Sequence, residues 1–168
     1  MTISMYQTSV PVMVRMLGNL RGILEKATAQ AEKREYDVAI LLNSRLFPDM
    51  FALTRQIQIA TDMAKGAAAR LAGQEPPAYA DTETTMSEVL ARIDKTIAYL
   101  QTFKAEQIDG SEGKAIELKT RRGTMNFVGQ QYLLNFVLPN FYFHLTTTYN
   151  ILRHNGVEIG KMDFVGNF

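Results

Sequence analysis

The sequence predicts an all-α protein, a four-helix bundle with a small β-hairpin between the third and fourth long helices. Three observations support this prediction. Positions 131–156 are apolar on nearly every side, which is typical of a helix packed among other helices. Residues 114–128 alternate between apolar and polar types, which is the period of a strand. In the second long helix, apolar or small residues recur at alternating steps of three and four, the period of a bundle seam: Met50, Leu53, Ile57, Ala60, Ala64, Ala67 and Leu71.

Composition excludes several classes of protein. The chain has 168 residues, which predicts one domain over 1–168, and its 46% hydrophobic and 21% charged residues are ordinary for a globular protein. The net charge is +1 with mixed signs, so no basic patch indicates nucleic acid as a partner. The absence of cysteine excludes disulfides, thiolate metal sites and cysteine nucleophiles. We expect a cytoplasmic protein with no membrane partner, because neither a signal peptide nor a long apolar run is present.

The first long helix is predicted over Ser9–Lys33. Pro11 falls in its first turn, where the missing N–H has no partner to lose, and Ser9 or Thr8 is placed to cap it. A short helix over Asp37–Asn43 follows, capped by its own first residue. A connector with no regular pattern then leads to the second long helix.

The second long helix is predicted to start at Pro48 and Asp49 and to run to Leu71. Gly73 follows as a left-handed cap, since glycine tolerates positive φ. In the third helix, Thr85 and Glu88 have the spacing of a capping box, in which each side chain accepts a backbone N–H of the other residue. These signals predict the ends of both helices.

A two-residue turn at Arg122 and Gly123 would close the hairpin. That arrangement puts four apolar side chains on one face of it: Ile116, Leu118, Met125 and Phe127.

The fourth long helix contains Pro139, which removes one backbone hydrogen bond and predicts a kink or short break near Phe136. Asn155 and Gly156 end the helix, and an irregular tail over 157–168 is expected to pack on the bundle through its apolar residues. Asn140 and His144 lie one turn apart on the inward face. Burying them without partners is costly, so polar groups should meet them.

The chain resembles the DinB/YfiT-like helical bundles, and most closely an uncharacterised branch known as a domain of unknown function. The resemblance covers nearly the whole chain, and its most specific segments are LFPDMFALTRQIQIATDMAKGAAARLAG at 46–73 and LPNFYFHLTTTYNILRHNG at 138–156. It implies a site where better-known members hold a divalent metal with three histidines. Matched residue by residue, this chain keeps one histidine, His144, and has amides, Asn140 and Gln58, at the other two positions.

Neutral amide oxygens are weak donors to the metals that prefer imidazole, thiolate or carboxylate. We therefore interpret the site as a degenerate metal site and predict no cofactor, with a divalent metal on His144 as the alternative. The favoured hypothesis is a binding or scaffold protein that holds a small polar ligand with Gln58, Asn140 and His144.

The alternative, implied by the resemblance, is a metal-dependent transferase or hydrolase acting on a small substrate. Its catalytic residues are unknown, with His144, Asp49 and Asp62 as candidates. Each candidate also has a structural interpretation. His144 could be a core histidine, Asp49 a helix cap, and Asp62 part of a solvated stripe that includes Gln58.

The last expectation concerns assembly. The fourth helix carries more apolar residues than three neighbouring helices can cover, which predicts a homo-oligomer, most simply a two-fold dimer. Tyr142 and Phe143 are placed nearest the partner. The competing explanation is that the hairpin or the tail covers the excess.

Overall fold

Four long helices form the bundle. The computed structural model describes residues 3–120 and 123–167. In chain order the elements are α1 (Val10–Lys33), α2 (Ala39–Asn43), α3 (Leu53–Leu71), α4 (Met86–Leu100), α5 (Ala105–Ile108), β1 (Ala115–Thr120), β2 (Gly123–Val128), α6 (Gly129–Gln131), a π-helical segment (Tyr132–Val137), α7 (Leu138–His154) and α8 (Lys161–Val165). The helix α3 packs against both α7 and α4, and α1 packs against α4. The predicted bundle with one hairpin is confirmed. No helix in the described ranges is long and apolar enough to cross a bilayer.

The starts of the first two helices lie close to their predicted positions but differ in detail. Ser9 occupies the cap position of α1, yet its hydroxyl donates to the Met5 carbonyl at 2.6 Å and does not cap the helix. The helix α2 begins at Ala39, two residues later than predicted, and Val38 rather than Asp37 occupies its cap position. The Asp37 carboxylate still accepts the Ala39 N–H at 2.8 Å, one residue before that position. A serine at a helix start can donate backwards as readily as it can accept forwards, which sequence alone does not distinguish.

The predicted start of α3 is wrong, because the helix begins at Leu53 and not at Pro48 or Asp49. The Met50 N–H donates to the Phe47 carbonyl at 3.0 Å, so Pro48 is the second residue of a four-residue turn, a position that its fixed φ favours. Met50 therefore lies outside the helix. The other six seam residues are fully buried, as the period predicted: Leu53, Ile57, Ala60, Ala64, Ala67 and Leu71.

The two strands of the hairpin pair antiparallel, with Ile116 opposite Phe127 and Leu118 opposite Met125. These four side chains share one face, as predicted, although Met125 remains 36% exposed. Gly123 pairs with Thr120 at the end of the strands and is not part of the turn. Residues 121–122, including the predicted turn residue Arg122, lie outside the described residues.

The expected break near Phe136 takes the form of the π-helical segment. At its end the Leu138 N–H donates to the carbonyl of Leu133, five residues back, and Pro139 follows in the first turn of α7. Thr147 and Thr148 donate their hydroxyls to carbonyls one turn back, at 2.7 and 2.9 Å. π-type turns and prolines are both typical sites of helix distortion, so the segment is consistent with the break expected from Pro139.

The hairpin and tail cover part of the apolar excess on the fourth helix. Phe127 of the hairpin packs on Phe136 with ring centres 5.2 Å apart, and Phe164 of the tail packs on Tyr149 at 5.9 Å. The tail is not wholly irregular, since it forms α8, which packs on α1. Tyr142 is half-buried, whereas Phe143 remains 56% exposed. Homo-oligomerisation stays a prediction.

Candidate functional site

His144 on α7 faces α3 and is buried there. Its Nδ1 lies 2.6 Å from Oε1 of Gln56, a side chain that is only 1% exposed. The amide nitrogen of Gln56 donates to the Phe51 carbonyl at 3.0 Å, so its oxygen is the atom that faces the ring. An amide oxygen can only accept, and Nδ1 of His144 therefore carries the proton. Nε2 is then the unprotonated nitrogen of the imidazole.

The environment of His144 keeps its ring neutral at pH 7. Burial is the larger cause, the nearby Arg55 guanidinium is the second, and together they lower the pKa of His144 from 6.5 to about 4. Both effects disfavour a positive charge on the ring, the first by removing water and the second by repulsion. His144 is accordingly a hydrogen-bond acceptor at Nε2 rather than a cation.

This pKa predicts that acid destabilises the fold through His144. Between about pH 6.5 and pH 4 the unfolded chain binds a proton that the folded chain does not, so the contribution is complete above pH 6.5 and is lost as the pH falls. The expected loss in the free energy of unfolding between about pH 7 and pH 4.5 is about 2–3 kcal/mol.

Urea unfolding at the two pH values tests this prediction. In His144→Gln, the loss in the free energy of unfolding between pH 7 and pH 4.5 should be smaller than in the wild type, because the contribution of His144 is absent. In His154→Gln it should not, because His154 is exposed at the end of α7. Equal losses in both variants would contradict a buried neutral His144.

The other two predicted ligand-binding residues do not join His144. The Asn140 amide donates to the Phe136 carbonyl one turn back at 2.6 Å, which is a structural role beside Pro139. Gln58 accepts from Arg55 at 3.1 Å and donates to Glu83 at 2.8 Å. Two residues along a helix turn by about 200°, so Gln58 points away from the side where Gln56 meets His144. These three side chains all lie in the described ranges, and no hydrogen bond joins them to one another in the predicted cluster.

The two aspartate candidates have different surroundings. Asp49 is exposed in the turn before α3, so it neither caps that helix nor approaches His144 through a hydrogen bond. Asp62 accepts from Arg92 at 2.9 Å and from Lys65 at 2.6 Å. The stripe that runs through Gln58 and Asp62 is therefore partly covered, since Gln58 is buried whereas the Asp62 side chain remains 34% exposed.

Sequence reasoning missed a buried cation, Arg92 on α4, whose side chain is only 2% exposed. Its guanidinium meets three carboxylates, Asp62 at 2.9 Å, Glu83 at 3.0 Å and Asp81 at 3.1 Å. It also donates to the Thr61 hydroxyl at 2.8 Å and the Ala80 carbonyl at 2.9 Å. We call Arg92 and its three carboxylates the Arg92 cluster. A charged residue flanked by Val89, Ile93 and Thr96 on the inward face of α4 was the available signal.

The segment that joins α3 to α4, residues 74–85, is held down by this cluster and by Tyr79. The Tyr79 ring lies 4.1 Å from the ammonium groups of both Lys65 and Lys95, distances at which a cation is attracted to a ring face. Asp81 and Glu83 of the same segment reach Arg92. The segment is thereby fixed across α3 and α4 without an apolar core of its own.

A cavity of about 320 Å³ lies between α2, the start of α3 and this segment. We call it the Arg55 cavity. Most of the residues in its wall are polar, and Gln58 is hydrogen-bonded to two of them, Arg55 and Glu83. The wall consists of Leu42, Asn43, Ala52, Thr54, Arg55, Gln58, Glu83 and Thr84. Of the three ligand-binding residues predicted from sequence, Gln58 lines this cavity.

The comparisons with known proteins decide the family. The model of a domain of unknown function, DUF1993, matches residues 5–165. The chain belongs to the DUF1993 family. It is also similar to a crystal structure of a DinB family member from Shewanella denitrificans, with 42% identity, coverage of 97% of this chain and 92% of that chain, and a TM-score of 0.89. A search of curated proteins found no match. The predicted DinB-like domain of unknown function is confirmed.

The donor set of this DUF1993 protein fits a divalent metal poorly. In the ranges 3–120 and 123–167, no three His, Cys, Asp or Glu side chains are grouped so as to hold an ion. The side chain that contacts His144 is an amide, and Arg55 places a positive charge nearby. A guanidinium repels a metal cation just as it repels a proton on the ring.

Proposed function

We propose that this DUF1993 protein binds a small polar ligand in the Arg55 cavity and does so without a divalent metal. The observation that supports the proposal is the wall of the cavity. A hydrogen-bonded row of three side chains runs along this wall. Arg55 supplies donors at one end, Glu83 supplies acceptors at the other, and the neutral amide of Gln58 joins them. Fixed polar groups of this kind orient a ligand and provide specificity in binding sites.

One observation favours a second candidate, a metal-dependent transferase or hydrolase. A histidine that binds a metal usually donates its second ring N–H to an oxygen, and this hydrogen bond fixes the tautomer of the ring. Oε1 of Gln56 accepts the Nδ1–H of His144 in the same way. The remaining requirements speak against it. A catalytic zinc site needs three protein ligands of good donor strength, and the groups at Gln56, Gln58 and Asn140 are amides.

Metal content separates the two candidates. Protein purified without an affinity tag and without chelators should contain far less than one equivalent of zinc, nickel or iron per chain by elemental analysis. One equivalent in the wild type, lost in His144→Gln and kept in His154→Gln, would overturn the proposal and support the metalloenzyme.

A further inference from the structure

We infer that the ligand of the Arg55 cavity is a small organic anion, whose carboxylate binds the Arg55 guanidinium in place of the Asp81 carboxylate. This inference rests on the proposed function and names the chemical class of its ligand. In the free protein, Asp81 of the 74–85 segment occupies the position on Arg55 that the carboxylate of the ligand takes when it binds.

Arg55 has unused hydrogen-bonding capacity beside the cavity. Its Nη1 donates to Gln58 at 3.1 Å and to Asp81. Its Nε and Nη2 donate to no residue in the described part of the chain. A guanidinium has five N–H donors in a planar fork, and that fork matches the two oxygens of a carboxylate. A carboxylate that replaces Asp81 at Nη1 can therefore also accept from the unused Nη2 and bind the guanidinium with both of its oxygens.

Asp81 is the contact of Arg55 that an incoming anion can replace. Its side chain is 37% exposed, and its two oxygens divide between Arg55 and Arg92. Arg92 retains Asp62 and Glu83 if Asp81 leaves, whereas Arg55 retains no carboxylate. A ligand carboxylate thus competes with Asp81 for Arg55 without leaving a buried charge unpaired at Arg92.

The carboxylate in the wall cannot play the corresponding part for a cationic ligand. Glu83 has both oxygens engaged, one with Arg92 at 3.0 Å and the other with Gln58 at 2.8 Å. Burial by itself would raise the pKa of Glu83, but the hydrogen bonds from these two side chains, a backbone hydrogen bond and the charge of Arg92 together hold its pKa below the ordinary value. The charge of Glu83 is already matched, so the cavity favours an anion.

The apolar part of the wall determines the choice of probe. Ala52 is the partly exposed apolar residue of the wall and offers contact for a short hydrocarbon chain near Arg55, whereas Leu42 is only 1% exposed. Hexanoate supplies such a chain with one carboxylate, and hexanamide is its neutral counterpart of nearly equal size. The pair therefore isolates the contribution of the negative charge.

Two-dimensional amide NMR of the ¹⁵N-labelled full chain, titrated at neutral pH, measures the binding of both probes. Hexanoate should shift the amide signals around Arg55 and Gln58 and bind at least about tenfold more tightly than hexanamide, which is about 1.4 kcal/mol. Arg55→Gln should abolish this preference. Asp81→Asn should tighten hexanoate about tenfold, because it removes the competing charge from Arg55.

The controls distinguish charge from a general opening of the cavity. Loosening of the 74–85 segment in Asp81→Asn would tighten hexanamide as well as hexanoate, and that result would overturn the inference. Arg34→Gln and Glu158→Gln change an exposed ion pair of the same type whose residues do not line the Arg55 cavity, and they should leave both affinities unchanged.

Equal binding of hexanoate and hexanamide to the wild type would overturn the anionic ligand and leave the proposed binding function intact. Failure of hexanoate to bind both the wild type and Asp81→Asn would also overturn the anionic ligand. Failure of the proposed function is recognised separately, by one equivalent of metal on His144.

Discussion

Replacing Arg92 with methionine is expected to lower the free energy of unfolding by about 3–5 kcal/mol. The side chain is 2% exposed and meets Asp62, Asp81 and Glu83. Methionine fills similar volume but leaves three carboxylates facing one another without their shared cation. The cost comes mainly from Glu83, whose side chain is 12% exposed and loses its cation, whereas Asp62 and Asp81 are about a third exposed and keep Lys65 and Arg55.

Urea unfolding of three variants measures this effect. Arg92→Lys keeps the charge but loses the planar fork, so an intermediate loss is expected. Arg34→Met removes an exposed partner of Glu158 and should change stability by at most about 1 kcal/mol. A loss below about 1 kcal/mol in Arg92→Met would contradict the conclusion that the Arg92 cluster holds the 74–85 segment in place.

Replacing Ile57 with alanine is expected to lower the free energy of unfolding by about 2–5 kcal/mol. Ile57 lies mid-seam on α3 and is fully buried, as is Ile93 on α4, for which the same cost is expected. The loss combines the transfer of the removed methyl and methylene groups to water with the cavity that remains between helices. Alanine neighbours on the seam have little side chain with which to fill that space.

Ile40→Ala is the matched control for Ile57→Ala. Ile40 lies on α2 and is 60% exposed, so the same chemical change should alter stability by at most about 0.5 kcal/mol. Equal losses in the two variants would show that the seam of α3 is not the inward face.

Several features follow from local sequence alone, because the forces that produce them act within one turn of chain. The capping box of Thr85 and Glu88 forms as its spacing predicts, and Gly73 adopts the positive φ of a left-handed cap. Pro48 shows the limit of such signals, since proline suits both the first turn of a helix and the second position of a tight turn. Only the hydrogen bond from Met50 to Phe47 distinguishes the two.

The partners of the polar side chains could not be predicted in the same way. His144 was correctly expected to need a polar partner, yet Gln56 and Gln58 are both polar and only two residues apart on α3. The two lie about 200° apart around the helix, so the rotation of α3 in the bundle decides which of them meets α7. Arg92 likewise has no local partner, because its carboxylates come from α3 and from a segment without regular structure.

The sequence by itself therefore determined the helical bundle, its seam, the hairpin and the presence of a polar pair within an apolar helix. These follow from the periods of 3.6 and 2 and from capping chemistry, which depend on near neighbours. The tertiary structure alone decided that Gln56 holds His144, that Arg92 gathers three carboxylates, and that Arg55 borders a cavity. Side-chain pairing across helices depends on how each helix is rotated and spaced, and packing of the whole core sets both.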